Sequence, residues 1–378
     1  MQWALLEAIA TLMGCVIGAG VIGLPYAIYR AGGLTGAVEI IILGIAVLVL
    51  SLYMGEVVLR TSSRHQLTGY ANIYLGRAGK FLMAASMIIS IYGALTAYTV
   101  GVGAALNAIT GLPGVHISIG FFCIMALLIF LGLRTVEESE LLITSIKTGI
   151  FLIICAAIFF SGRLNTAHLV SRSAGLGRLL LPYGVILFAY TGFAAIPEMR
   201  EELEENKALL KKAIILGMLP CMIIYLLFSL LVVGISGEGT TEVATVALGS
   251  LGMGTLILGN LFATAAMATS FLALGLALKE MFQYDYGISS LPAWLLTCVV
   301  PIILFLAGIN NFILILSSVG ALAIGLDGIL IVLMHWRAKS RGDRTPEYII
   351  NHPRIVGLLL IAVFIVGIVC QVVHYMGV

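Results

Sequence analysis

Two short segments carry the residues best suited to hold a small zwitterion. In the first, Gly18, Ala19 and Gly20 interrupt a long apolar run, and Pro25 follows Gly20 by five residues. In the second, Tyr190, Thr191 and Gly192 interrupt another run, and Pro197 follows Gly192 by the same interval. Glycine and proline at such spacing unwind a helix, which frees backbone N–H and C=O groups. The N–H groups at the start of a half-helix, with its positive dipole end, suit a carboxylate; the freed carbonyls suit an ammonium. An amino acid presents both. Glycines can also serve only to let helices pack closely, but a matched pair of breaks in two halves of one chain points to a binding site between the halves.

A few side chains could add chemistry. Lys147, in Ser145-Ile146-Lys147-Thr148-Gly149, is the basic residue set well inside an apolar run. It lies about 9 Å along a helix from Leu141 at 1.5 Å per residue. An ionisable group at that depth is a functional candidate unless its stem snorkels back to the interface. Tyr92, Tyr98 and Tyr190 are candidate pocket walls, with Tyr92 the preferred gate. Asp327 lies inside another apolar run and is expected to face an inner vestibule. The six histidines show no HExxH pattern and the six cysteines no CxxC pair, so metal chemistry and a disulfide framework find no support.

Gly18-Ala19-Gly20-Val21-Ile22-Gly23 also satisfies GxGxxG. A dinucleotide site needs a strand before it, a helix after it and an acidic residue about 20 positions on. Glu39 stands near that distance, but it opens a second long apolar run, and no βαβ pattern follows. No enzymatic activity is expected.

The elements that must position these residues follow from composition. Of 378 residues, 61% are hydrophobic and 10% charged, where a soluble domain has about a quarter charged. The net charge of +2 gives no footing for a nucleic-acid partner. A spanning helix needs roughly 20 apolar residues, and such runs occur near 4–29, 34–59, 81–109, 115–133, 141–162, 179–197, 209–235, 249–278, 292–308, 311–335 and 355–376. The expected fold is therefore an all-α polytopic membrane protein of eleven transmembrane helices. The first run lacks a basic leader and a cleavage site and reads as a retained span. With the N-terminus in the cytoplasm, all 20 lysines and arginines fall in inner loops except Arg30, Arg163, Arg172, Arg178 and the buried Lys147. The positive-inside rule then places the C-terminus outside. Because five spans separate the breaks, the second set inserts upside down relative to the first. The expected organisation is one inverted repeat over 1–162, a second over 175–336 and an additional span over 353–378.

Three segments resemble a known family. Gly18 to Ala27 is similar to the first helix of the amino acid/auxin and aromatic amino acid permeases, within the amino acid–polyamine–organocation superfamily. Leu181 to Glu198 resembles their sixth helix, and Ala268-Thr269-Ser270-Phe271-Leu272 the eighth helix of the aromatic branch. With the eleven-span layout, the resemblance covers essentially the whole chain. It implies a five-plus-five inverted repeat with helices 1 and 6 broken, alternating access, and coupling to protons or sodium. Carried over by position, a substrate carboxylate would meet the backbone at Ala19, Gly20 and Val21. The ammonium would meet carbonyls near Ile17, Phe188, Ala189 and Thr191. Lys147 resembles a fifth-helix lysine that stands in the second sodium site of some proton-coupled members. Thr269 and Ser270 match hydroxyls that complete that site in sodium-coupled members.

The expected function is a secondary amino acid transporter for neutral, aromatic or branched substrates, with protons preferred over sodium. No cofactor is expected; the partners are the amino acid and the lipid bilayer of a cell or inner membrane. A non-transporting amino acid receptor on the same fold would need partner-binding segments, and the short loops speak against it.

Overall fold

The computed structural model describes residues 2–132, 140–170, 176–284, 286–351 and 353–375. Arg134 and Arg172, used in the orientation argument, lie outside the described residues.

The apolar runs fold as helices: α1 (Gln2–Val16), α2 (Gly20–Ala31), α3 (Gly33–Leu59), α4 (Leu67–Thr110), α5 (Gly114–Leu131) and α6 (Glu140–Phe160). These are followed by α7 (Leu176–Ala189), α8 (Ile196–Glu202), α9 (Leu210–Ser236), the short α10 (Ala244–Ala247) and α11 (Met253–Tyr284). The chain closes with α12 (Ser290–Leu306), α13 (Phe312–Ser318), α14 (Gly325–Arg341) and α15 (Arg354–Tyr375). No strand occurs among the described residues. Without water in the bilayer core, each backbone polar group needs a partner in its own segment, which a helix provides.

Each expected run overlaps helix among the described residues. By length and composition, seven helical segments qualify singly as crossings, and α1 with α2 qualify together as one span bent by 52°. The shorter apolar segments Thr144–Phe160 and Ser290–Leu306 lie within α6 and α12. The molecule is apolar outside as well as inside: Ile41, Ile42, Phe159, Phe160, Leu358, Leu359, Ile365 and Val366 are all exposed. Such a surface is stable against lipid and a liability in water.

Three features depart from simple spans. The third run begins earlier than expected, because α4 starts at Leu67 and turns at Gly76, whose φ of 76° suits glycine. The tenth span contains a π-helical turn, Val319–Ile324, between α13 and α14. Both expected breaks are present: α1 stops at Val16 and α2 starts at Gly20, while α7 stops at Ala189 and α8 starts at Ile196. Pro197 occupies the first turn of α8, where its missing N–H costs nothing.

Polar side chains gather at one end of the bundle. Arg200 donates to the carbonyls of Thr61, Ser62 and Ser63, fixing α8 to the end of α3. Buried Lys279 donates to the carbonyls of Ile129 at 2.8 Å and Phe130 at 3.3 Å, at the end of α5. Glu56, fully buried, accepts from Arg60, from His335 at 3.0 Å and from the Ile350 N–H at 2.7 Å.

Candidate substrate and ion site

The two breaks lie against one another. α2 packs on α7, and the contact is tight enough that a Cβ at Gly20 would stand 2.4 Å from Ala189 Cα. A Cβ at Gly192 would stand 2.5 Å from Val16 Cγ2. The glycines are thus required by the close approach of the two unwound segments. Cys15 Sγ bonds the Thr191 carbonyl across the same gap at 3.6 Å.

Tyr225 on α9 joins the breaks from behind. Its hydroxyl lies 2.5 Å from the Val16 carbonyl oxygen and 3.1 Å from that of Ala189, so one donor serves the last carbonyl of each half-helix. The residue is wholly buried. Sequence reasoning missed it, because a tyrosine in an apolar run carries no spacing signal.

Most residues expected at the site are brought together there. Ile17, Ala19, Gly20 and Val21 line the first break and Ala189 and Thr191 the second, all buried or half-buried. Several of the expected carbonyls already have donors. Ala189 accepts from Tyr225, Phe188 from the Thr191 N–H at 3.3 Å, and Thr191 from Cys15. A carbonyl has two lone pairs, so each can still receive a second donor. Phe188 also faces elsewhere: a Cβ on Gly320, in the π-helical turn, would lie 3.0 Å from its backbone nitrogen.

Among the ion-coupling candidates, Ser270 reaches the first break. A Cβ at Gly18 would lie 3.1 Å from its Oγ. Thr269 instead donates back to the Ala266 carbonyl of its own helix at 3.0 Å, the ordinary use of a helical hydroxyl. Lys147 is buried, 8% exposed, and has an interaction partner within the protein. Its helix, α6, packs on α1 and α11, which carry the first break and Ser270.

Three further candidates have the following surroundings. The Tyr92 hydroxyl donates to the Leu296 carbonyl on α12 at 2.9 Å. Tyr190 is a fully buried residue packed at 5.1 Å against the Tyr225 ring, its ring facing Gly44 of α3. Asp327 faces no vestibule, being 4% exposed within the bundle. A cavity of about 480 Å³ opens between α6 and α9; its walls include Phe159 and Leu231 and none of the site residues.

Matched interruptions of two apolar helices are a pattern found in membrane carriers. The chain belongs to the tryptophan/tyrosine permease family, whose family model matches residues 1–374. It is 23% identical to the tyrosine-specific transport system 1 of Haemophilus influenzae, over 94% of this chain and 92% of that protein. It is 21% identical to glutamine transporter 2 of Aliivibrio fischeri, over 86% and 87% of the two chains. The crystal structure of MhsT in complex with L-phenylalanine superposes with a TM-score of 0.69 over 98% of both chains at 15% identity, a likeness of fold. The protein is thus a multi-pass membrane permease of an amino acid transporter family.

Proposed function

We propose that this permease is a secondary active transporter that carries neutral, preferably aromatic, amino acids in symport with protons across the cell membrane. The observation that carries this reading is the apposition of two unwound segments, Gly20 on Ala189, tied by Tyr225. Substrate entering between them would take its carboxylate to the N–H groups of Ala19, Gly20 and Val21 at the start of α2, and its ammonium to the second lone pairs of the facing carbonyls. Alternating access would follow from movement of residues 1–162 against residues 175–336, with the span over 353–378 as an addition. The N-terminus would lie in the cytoplasm and the C-terminus outside. The tyrosine-specific relative favours an aromatic substrate and the glutamine transporter a wider neutral range.

Lys147 supports proton coupling. A buried amine on α6, a helix that packs on α1 and α11, can carry a proton and release it when neighbouring oxygens rearrange. A sodium reading has its own support in Ser270, whose hydroxyl borders Gly18; the Thr269 hydroxyl, bonded to its own helix, favours it less.

The test is uptake of labelled amino acids into proteoliposomes under either a pH or a sodium gradient. Accumulation driven by the pH gradient in the wild type, and lost in Lys147→Ala, is the expected result. Accumulation that needs sodium alone would overturn proton symport, and no uptake by folded protein would overturn transport itself.

A further inference from the structure

Asp327 is buried in the first turn of α14, just past the π-helical turn, and no step described above uses it. Its Oδ1 makes no hydrogen bond among the described residues. The elements around α14 offer it no countercharge. α3 carries Glu56, which is bonded to Arg60 and to His335 of α14 itself. α4 carries Arg77 and Lys80, and α15 carries Arg354, Cys370 and Gln371, the last accepting from Ser317. Arg337, Lys339 and Arg341 lie further along α14. The nearest polar side chain that the structure places there is Ser86 of α4, which bonds the Ala323 carbonyl one helical turn before Asp327.

Ser86 decides which way a bond between the two side chains can run. Its single proton goes to the Ala323 carbonyl in the π-helical turn, at 2.7 Å. The serine oxygen can then only accept from Asp327, and an ionised carboxylate has nothing to donate. The arrangement closes when the acid carries a proton: Asp327 donates to Ser86, and Ser86 donates to Ala323. A lone carboxylate in a dry interior is costly unless neutralised, and π-helical turns recur at functional sites. Ser90, one turn along α4 on the face that carries Ser86, has a buried hydroxyl oxygen without a partner.

We propose that Asp327, with Ser86 and the Ala323 carbonyl, is a proton-binding site separate from the helix breaks, which loads and releases a proton as α4 and α14 move apart during transport. This deepens the proton-symport reading and rests on it for its place in the cycle. No bond other than O–H changes: the carboxylate takes a proton from water on one side and returns it on the other.

The experiment compares the wild type, Asp327→Asn and Ser86→Ala in proteoliposomes and by infrared difference spectroscopy. The wild type should show the C=O band of a protonated carboxyl that Asp327→Asn lacks, and Ser86→Ala should move that band toward a weaker hydrogen bond. Asp327→Asn should also lose accumulation under a pH gradient while exchange, which needs no net proton, falls less. An Asp327→Asn protein that accumulates substrate as the wild type does would overturn the proposal. So would a spectrum in which neither substitution alters a protonated-carboxyl band, and the Ser86→Ala spectrum decides the matter even if Asp327→Asn fails to fold. A wild type indifferent to the pH gradient would sink proton symport instead, with the band still deciding whether Asp327 holds a proton.

Discussion

Tyr225 and Gly20 set opposite demands on the same few ångströms. Tyr225 donates to two helix-end carbonyls, that of Ala189 and that of Val16, which the Gly18 N–H also meets. Replacing it by phenylalanine leaves both without that donor, at a cost of about 1–3 kcal/mol. Tyr225→Phe should therefore lower the melting temperature in detergent and change the substrate KM, since the carbonyls it releases face the expected ammonium site. A variant with unchanged KM would show that the tyrosine only stabilises the bundle. Gly20 supplies the opposite, an absence of atoms. Gly20→Ala places a methyl 2.4 Å from Ala189 Cα, so the breaks must separate, and substrate binding measured by scintillation proximity should be lost while the protein still reaches the membrane. Normal affinity would refute the site. The glycine was legible in the sequence because it stands in a break with a matching partner. The tyrosine was not, because its role depends on α9 crossing behind both breaks.

At the scale of elements, a helix that deviates needs a local cause. α4 turns at Gly76, where φ is 76° and ψ is −166°, a region open essentially to glycine. Gly76→Ala has open space around the new methyl, so the cost is conformational alone, about 1–3 kcal/mol. A melting temperature equal to that of the wild type would show that the turn relaxes without penalty. The π-helical turn of the tenth span has no sequence mark of its own: Val319-Gly-Ala-Leu-Ala-Ile324 reads as ordinary helix. It appears where Gly184 and Gly320 bring α7 and this span into backbone contact, a Cβ on Gly320 lying 1.8 Å from the Gly184 oxygen. Periodicity records which face is apolar, and it does not record where a neighbour forces a wider turn.

Across the whole molecule, the end that gathers Arg60, Arg200, Lys279 and Arg344 is the one the charge pattern places in the cytoplasm. Single cysteines at positions 343 and 238, in a background without the six native cysteines, should be labelled by an impermeant maleimide from inside and outside respectively. The reverse pattern would invert the topology. A staple closes this end: Ser62 bonds the Asp343 carboxylate through both its N–H and its hydroxyl, and Asp343 N–H bonds the Arg60 carbonyl at 3.1 Å. The two bonds from Ser62 hold the Asp343 carboxyl below the usual carboxylate range. With the folded value depressed, the staple is at full strength above the ordinary carboxylate pKa of about 3.9 and weakens as the pH falls through the lower folded value. Asp343→Asn should abolish that acid-side dependence, read as maleimide access to a cysteine at 346. Dependence that persists in the variant would assign it to another group.

The sequence by itself determined the solvent, the helical class and the places where two helices break. These are consequences of composition and of glycine and proline in short windows, which act before any helix meets another. Only the tertiary structure decided that the breaks touch, that Tyr225 serves both, that Tyr92 bonds to α12 and that Asp327 is sealed inside. Hydrogen-bond direction and burial belong to pairs of residues far apart in the chain, from Ser86 with Ala323 to Val16 with Tyr225. No local window contains both members of such a pair.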